Sequence, residues 1–188
     1  MENLCLTIIN SDIVAVKNIL LELFSQDDVL YSYGQNRINM SEIQYNPQIS
    51  KLQIWKPVGF SGTVMWGNMV DGFDTIAHIL NRKYKLEWIR VSLSMPSSDG
   101  YEMRVFHYMP SNGKDRFIRV MQDPKWEFYE HGEPLPFEYM QKYSERFIKR
   151  RLTNEMILDY VRMLGWNLRA SEFWISDGDT CYLEWKNY

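Results

Sequence analysis

Few side chains in this sequence could carry chemistry. Histidine occurs at His78, His107 and His131, and cysteine at Cys5 and Cys181. A structural zinc site needs four Cys or His ligands, usually in paired spacings. Here the histidines fall on a helix, a strand and a turn, and neither cysteine belongs to a C-x-x-C pair. His131-Gly132-Glu133 matches the H-x-E of zinc deaminases, but the companion P-C-x-x-C is absent, so the tripeptide reads as a surface turn. Asp177 and Asp179 flank Gly178 and could offer two carboxylates to a cation. No EF-hand loop surrounds them, and Asp-Gly between strands is first of all a turn. Asp71 and Asp74 suit the start of a helix, where acids meet free N–H groups and the positive dipole end.

Nucleophiles and phosphate cradles fare no better. Cys181 lies in an expected strand, with no His or helix N-terminus assignable beside it to lower its pKa, so both thiols are expected to be buried and inert. There is no G-x-S-x-G elbow and no G-x-x-x-x-G-K-[ST] or G-x-G-x-x-G. The sequence therefore calls for no cofactor and no metal. A site assembled from scattered residues stays open, with His107, Glu130, Asp179 and Cys181 as its candidates.

These residues must be positioned by elements that hydrophobic periodicity outlines. Leu4 to Ile9 is a short apolar strand. Ser11 or Asp12 can cap a helix carrying Ile13, Val16, Leu20 and Leu23 at helical spacing. Val29 to Tyr33, Lys51 to Lys56 and Thr63 to Trp66 read as strands, and a second helix carries Ile76, Ala77, Ile79 and Leu80. From Leu86 to Glu130 the chain reads as strands broken at Met95–Gly100, at Asn112-Gly113 and at Asp123-Pro124, an antiparallel meander in which Asn-Gly marks a hairpin. A helix is expected over residues 137–150, and another after Thr153, with Gly165 as its C-terminal stop. Phe173 to Ser176 and Thr180 to Trp185 are expected to pair about the Asp177–Asp179 turn. About four helices and eight strands, with strands in consecutive runs, predict a single α+β domain over residues 1–188, built mainly on antiparallel sheet.

Composition narrows the functional classes. Hydrophobic residues make up 45% and charged residues 24% of the chain, which is globular usage. The net charge of −3 supplies no basic excess to neutralise phosphates, so nucleic acid is not an expected partner. The basic run Arg146, Lys149, Arg150 and Arg151 reads as a solvated helix face with Glu138 and Glu145 nearby. No run of about 18 apolar residues exists to span a membrane, and the start of the chain lacks the basic and apolar regions of a signal peptide. A cytoplasmic protein is expected, with its oligomeric state open. Aromatics are abundant, with 7 Trp, 12 Tyr and 9 Phe, more than a core of this size readily hides. Aromatics are also enriched at protein interfaces.

The segment Gly132-Glu133-Pro134-Leu135-Pro136-Phe137-Glu138, with Tyr143, Arg146, Ile148, Arg151-Leu152-Thr153 and Leu164-Gly165-Trp166, resembles the closing part of small bacterial proteins. Some of these are similar to immunity proteins of polymorphic-toxin loci. The resemblance implies a small cytoplasmic protein that binds and neutralises a toxin domain, and it assigns no residue a role. The expectation is thus a non-catalytic protein-binding protein. It would occlude its partner through an aromatic anchor and an acidic rim, with Trp55, Trp66, Trp126, Asp177 and Asp179 as partner-binding candidates. An enzyme or small-molecule binder and an accessory subunit of a larger assembly are the alternatives.

Overall fold

The computed structural model describes residues 3–24, 29–33, 38, 46, 48–69, 71–94, 102–178 and 180–186. The strands among the described residues are β1 (Asn3–Ile9), β2 (Val29–Tyr33), β3 (Ile49–Trp55), β4 (Thr63–Gly67), β5 (Trp88–Ser94), β6 (Met103–Met109), β7 (Arg116–Gln122), β8 (Trp126–His131) and β9 (Cys181–Lys186). The α-helices among the described residues are α1 (Ile13–Leu23), α2 (Asp74–Tyr84) and α3 (Asn154–Met163). All strands join one nine-stranded sheet in the order β2-β9-β3-β4-β1-β5-β6-β7-β8. Every neighbouring pair is antiparallel. The expected α+β class and antiparallel sheet are present, with fewer α-helices than the sequence suggests.

The strands alternate their side chains across the sheet, and the two faces bury different sets. Leu6, Ile8, Trp55, Val64, Trp66, Ile89, Val91, Phe106, Ile118 and Val120 face α3 and the chain around it. Ile9, Leu52, Ile54, Met65, Trp88, Met109, Cys181 and Leu183 face Val16 and Leu20 of α1 and Ile76, Ala77 and Leu80 of α2. The central strands are therefore covered on both sides, and every residue of β5 is buried. Helix caps follow local chemistry. Asp12 Oδ1 accepts from the amides of Val14 and Ala15, at 3.0 Å each, and the Thr153 hydroxyl accepts from Met156 N at 3.3 Å. α2 begins differently, on Phe73 in the left-handed region at φ 60 with no side-chain cap. Gly72 precedes it, and a Cβ there would lie 2.4 Å from the Cys5 sulfur, so glycine is what lets α2 start against β1.

Two expected elements are replaced. Residues 137–150 form two short 3-10 segments, Met140–Ser144 and Ile148–Arg150, rather than one α-helix. The cause is a buried ion pair. Arg116 on β7 donates from Nε to Glu138 Oε1 at 2.8 Å and from Nη2 to Glu138 Oε2 at 2.7 Å. Its Nη1 reaches the carbonyls of His131 and Gly132 at 3.2 and 3.0 Å. Glu138 also accepts from Leu135 N at 2.8 Å and from the Tyr143 hydroxyl at 2.9 Å. Drawing Glu138 and Tyr143, five residues apart, into one interior point is incompatible with a helix, whose faces repeat at three and four. The second replacement is at Ser171–Trp174, which is a 3-10 turn, while Ser176 makes a lone bridge to Pro57. β9 pairs with β2 and β3 instead, because its Cys181 and Leu183 complete the α1/α2 face of the core.

Candidate histidine–carboxylate site

Antiparallel register lines up a row of side chains across the sheet. Arg90 on β5 stands opposite His107 on β6, His107 opposite Phe117 on β7, and Phe117 opposite His131 on β8. This row lies on the face covered by α2. Asp74 and His78, one turn apart on α2, share a helix face, and His78 Nε2 lies 3.5 Å from Asp74 Oδ1. The rings of His78 and His107 are 5.6 Å apart between centroids. Helix and sheet together gather all three histidines into one neighbourhood.

Asp115, immediately before β7, organises it. Its Oδ2 lies 2.9 Å from His107 Nε2 and its Oδ1 3.0 Å from His131 Nε2. An ionised carboxylate only accepts, so each of these Nε2 atoms carries its proton toward Asp115. His107 is buried, walled edge-on by Trp88 at 4.7 Å and Phe117 at 5.0 Å. Burial pushes its imidazole down to about 4, against the pull of Asp115 and aided by the Arg90 charge. It is therefore neutral near pH 7, with the lone pair on Nδ1. That Nδ1 is buried and has no hydrogen-bond partner among the described residues. Burial alone would raise the Asp115 carboxyl, but the hydrogen bonds and charges of His107 and His131 outweigh it and hold the carboxyl below its ordinary value. Arg90 Nη1 is paired with Asp74 Oδ1 and donates to the Asp71 carbonyl at 3.0 Å. One ligand atom each from Asp74, His78 and His107 lies within 4.8 Å of the other two, and among the described residues these could hold a metal.

A cleft of about 410 Å³ opens from this cluster between the second half of α2 and the β6–β7 turn. His78, Asn81, Arg82, Lys85, Asn112 and Asp115 are among the residues that line it. Asn81 braces the wall by donating to the carbonyls of Leu86 and Pro110 at 3.0 and 2.9 Å.

The residues picked from the sequence are dispersed. Trp55 and Trp66 belong to the core, at 0% and 2% exposure, because they sit on interior strands, so neither can anchor a partner. Trp126 is half-buried, with the Arg104 guanidinium 5.6 Å from its ring. Asp177 is exposed and paired with Lys56 at 2.8 Å. Asp179 lies outside the described residues. Of the scattered candidates, His107 is in the cluster. Cys181 is on β9, separated from β6 by four strands, and Glu130 stands opposite Ile118, on the other face. The Cys5 thiol is pushed up to about 12 by burial, which leaves it inert. His131 ends β8 rather than forming a turn. Sequence reasoning took Asp74 as a helix-start acid and did not pair it with His78, although D-x-x-x-H on an expected helix was the available signal. Asp115 had none. Its role comes from register alone.

No helix among the described residues is long and apolar enough to cross a membrane. Comparison with protein families, with characterised proteins and with solved structures found no match for this chain.

Proposed function

We propose that this chain is a binding protein for a small anionic ligand, seated in the cleft between α2 and the β6–β7 turn. One observation carries the reading: Arg82 and Lys85 stand beside the His78 imidazole and Asn112 in a single cleft of about 410 Å³. That volume suits a small molecule. The lining is too polar for an apolar ligand, and the negative charge of Asp115 faces two imidazoles. A phosphate monoester or a dicarboxylate matches this arrangement, because cationic donors recognise such groups through charge-assisted hydrogen bonds. Isothermal titration with inorganic phosphate, a sugar phosphate and citrate tests it. At least one should bind, and the Arg82→Ala/Lys85→Ala double variant should weaken that binding at least tenfold without moving the unfolding midpoint. Equal isotherms for both proteins, or no binding by any of the three, would end this reading.

A second reading, an immunity-type protein that occludes a protein partner, is favoured by a different observation. Tyr139, Met140 and Phe147 are exposed at 38%, 43% and 56%, within the segment that carries the resemblance to immunity proteins. Arg150 lies 5.1 Å from the Phe147 ring, and Arg146 and Lys149 flank Phe147 in the sequence. Large exposed apolar side chains mark interaction surfaces, and the arginine beside Phe147 fits an acidic group on a partner. In a pull-down from the source cell, the wild-type chain should retain a specific protein and a Met140→Glu/Phe147→Glu variant should not. Equal retention by the two would remove this surface from consideration.

A further inference from the structure

We infer that Asp74, His78 and His107 form a binding site for one divalent transition-metal ion, of the zinc class, in the wall of the α2 cleft. Three features converge on this. The first is proximity. One donor atom of each residue already lies within 4.8 Å of one on each of the other two, although α2 and β6 are remote in sequence. Metal–ligand distances of about 2.0–2.2 Å would bring them closer by a small rotation of the side chains on α2. His78 and Asp74 have that freedom, being only partly covered at 31% and 35% exposure, whereas His107 is fixed.

The second feature is the state of His107. Its Nε2–H is committed to Asp115, which leaves Nδ1 with a lone pair, buried and without a hydrogen-bond partner among the described residues. Burying a nitrogen lone pair without a partner is costly, and a metal ion would satisfy it. The third is Asp115 itself. Metal-bound histidines ordinarily donate their other ring N–H to a carboxylate, which fixes the tautomer and aims the free nitrogen. Asp115 does this for His107 before any metal arrives. Two imidazoles and one carboxylate form a borderline-soft donor set that suits zinc, cobalt or nickel over magnesium or calcium.

Arg90 is the opposing element, since it pairs with Asp74 Oδ1. A carboxylate has two oxygens, so Asp74 can keep Arg90 on one and offer the other. The Arg90 bond to the Asp71 carbonyl also holds the guanidinium aside. The positive charges of Arg90 and the metal face the negative charges of Asp74 and Asp115. Three protein ligands would leave a coordination position open, as in zinc sites that bind water or an anion, and His78 also lines the cleft. The assignment does not depend on the anion reading above, because Arg82 and Lys85 contribute no ligand.

Equilibrium dialysis of the untagged chain against zinc in phosphate-free buffer, after treatment with EDTA, tests the site. One zinc per chain should be retained, and cobalt should give the visible absorption of a low-symmetry site. His78→Gln should lower zinc affinity at least a hundredfold, with the unfolding midpoint in EDTA unchanged. Asp115→Asn should lower it roughly ten- to a hundredfold by loosening His107. His131→Gln and Arg82→Ala/Lys85→Ala should bind zinc within threefold of wild type. If His78→Gln alters folding, Asp74→Asn takes its place with the same expectation. Sub-stoichiometric zinc on the wild-type chain, equal affinity in the ligand variants, or a loss in His131→Gln as large as in His78→Gln would each overturn the assignment.

Discussion

Arg116→Met destabilises the protein by about 3–5 kcal/mol, the cost of stranding a buried charge. The guanidinium is 2% exposed and the Glu138 carboxylate wholly covered. Methionine fills a similar volume but leaves Glu138 with only the Leu135 amide and the Tyr143 hydroxyl. The consequences spread along a chain of hydroxyls. Tyr143 donates to Glu138, Tyr160 must then donate to Tyr143 across 3.1 Å, and Tyr160 accepts from Tyr139 N at 2.9 Å. One substitution on β7 therefore loosens the 132–145 connector and its seat on α3. The double variant Arg116→Met/Glu138→Leu removes the buried pair, leaving only the partly exposed Glu130 that also binds Arg116, and should regain more than half of the loss, because well-packed apolar replacements of buried ion pairs are often neutral. Urea unfolding midpoints of the three proteins measure this, and a single variant within 1 kcal/mol of wild type would show that the pair carries little weight.

The second large effect is acid sensitivity. In the unfolded chain the His107 imidazole titrates near its ordinary 6.5, and in the folded chain burial holds it at about 4. Between those values the unfolded state binds a proton that the folded state refuses, so acid favours unfolding. Stability is complete above pH 6.5 and falls as the pH drops toward 4, by about 3 kcal/mol in total. Asp115 acts in the same direction at lower pH, because its carboxyl is held below the ordinary value in the folded chain and the stability it adds is lost as it is protonated. Unfolding free energies measured in EDTA at pH 7 and pH 4.5 should show the fall, and His107→Gln should flatten it. A midpoint that does not change over this range in the wild-type chain would count against a neutral, buried His107.

Legibility in the sequence tracks how local the deciding physics is. Asp12, Thr153 and Gly165 act within a single turn, and each appears where the periodicity puts a helix end. Asn112-Gly113 makes the β6–β7 turn with Gly113 at φ 77, and the β5–β8 meander follows from alternation and punctuation. The segment at 137–150 fails because its conformation is decided by Arg116, which lies 22 residues before Glu138. Trp55 and Trp66 fail as interface candidates for a related reason: a strand covered on both faces cannot be told from an exposed one until the sheet order is known. The histidine cluster is the extreme case. Its members come from α2, β6, β8 and the residue before β7, and they meet only through the pairings Arg90–His107, His107–Phe117 and Phe117–His131 and the packing of α2 on that row.

The position of β9 has a consequence for how the protein is made. β9 lies between β2 and β3, so β2, complete by Tyr33, finds its one strand partner among the described residues at Cys181–Lys186. During synthesis β1 and β3 to β8 can assemble as the chain emerges, whereas β2 must wait until residues 181–186 have left the ribosome. Pairings this distant in sequence are slow to form, and unpaired strand edges invite association with other chains. Nascent chains should therefore pass through a stage with the outer edge of β3 uncovered, when a chaperone or a second nascent chain competes with β9 for it.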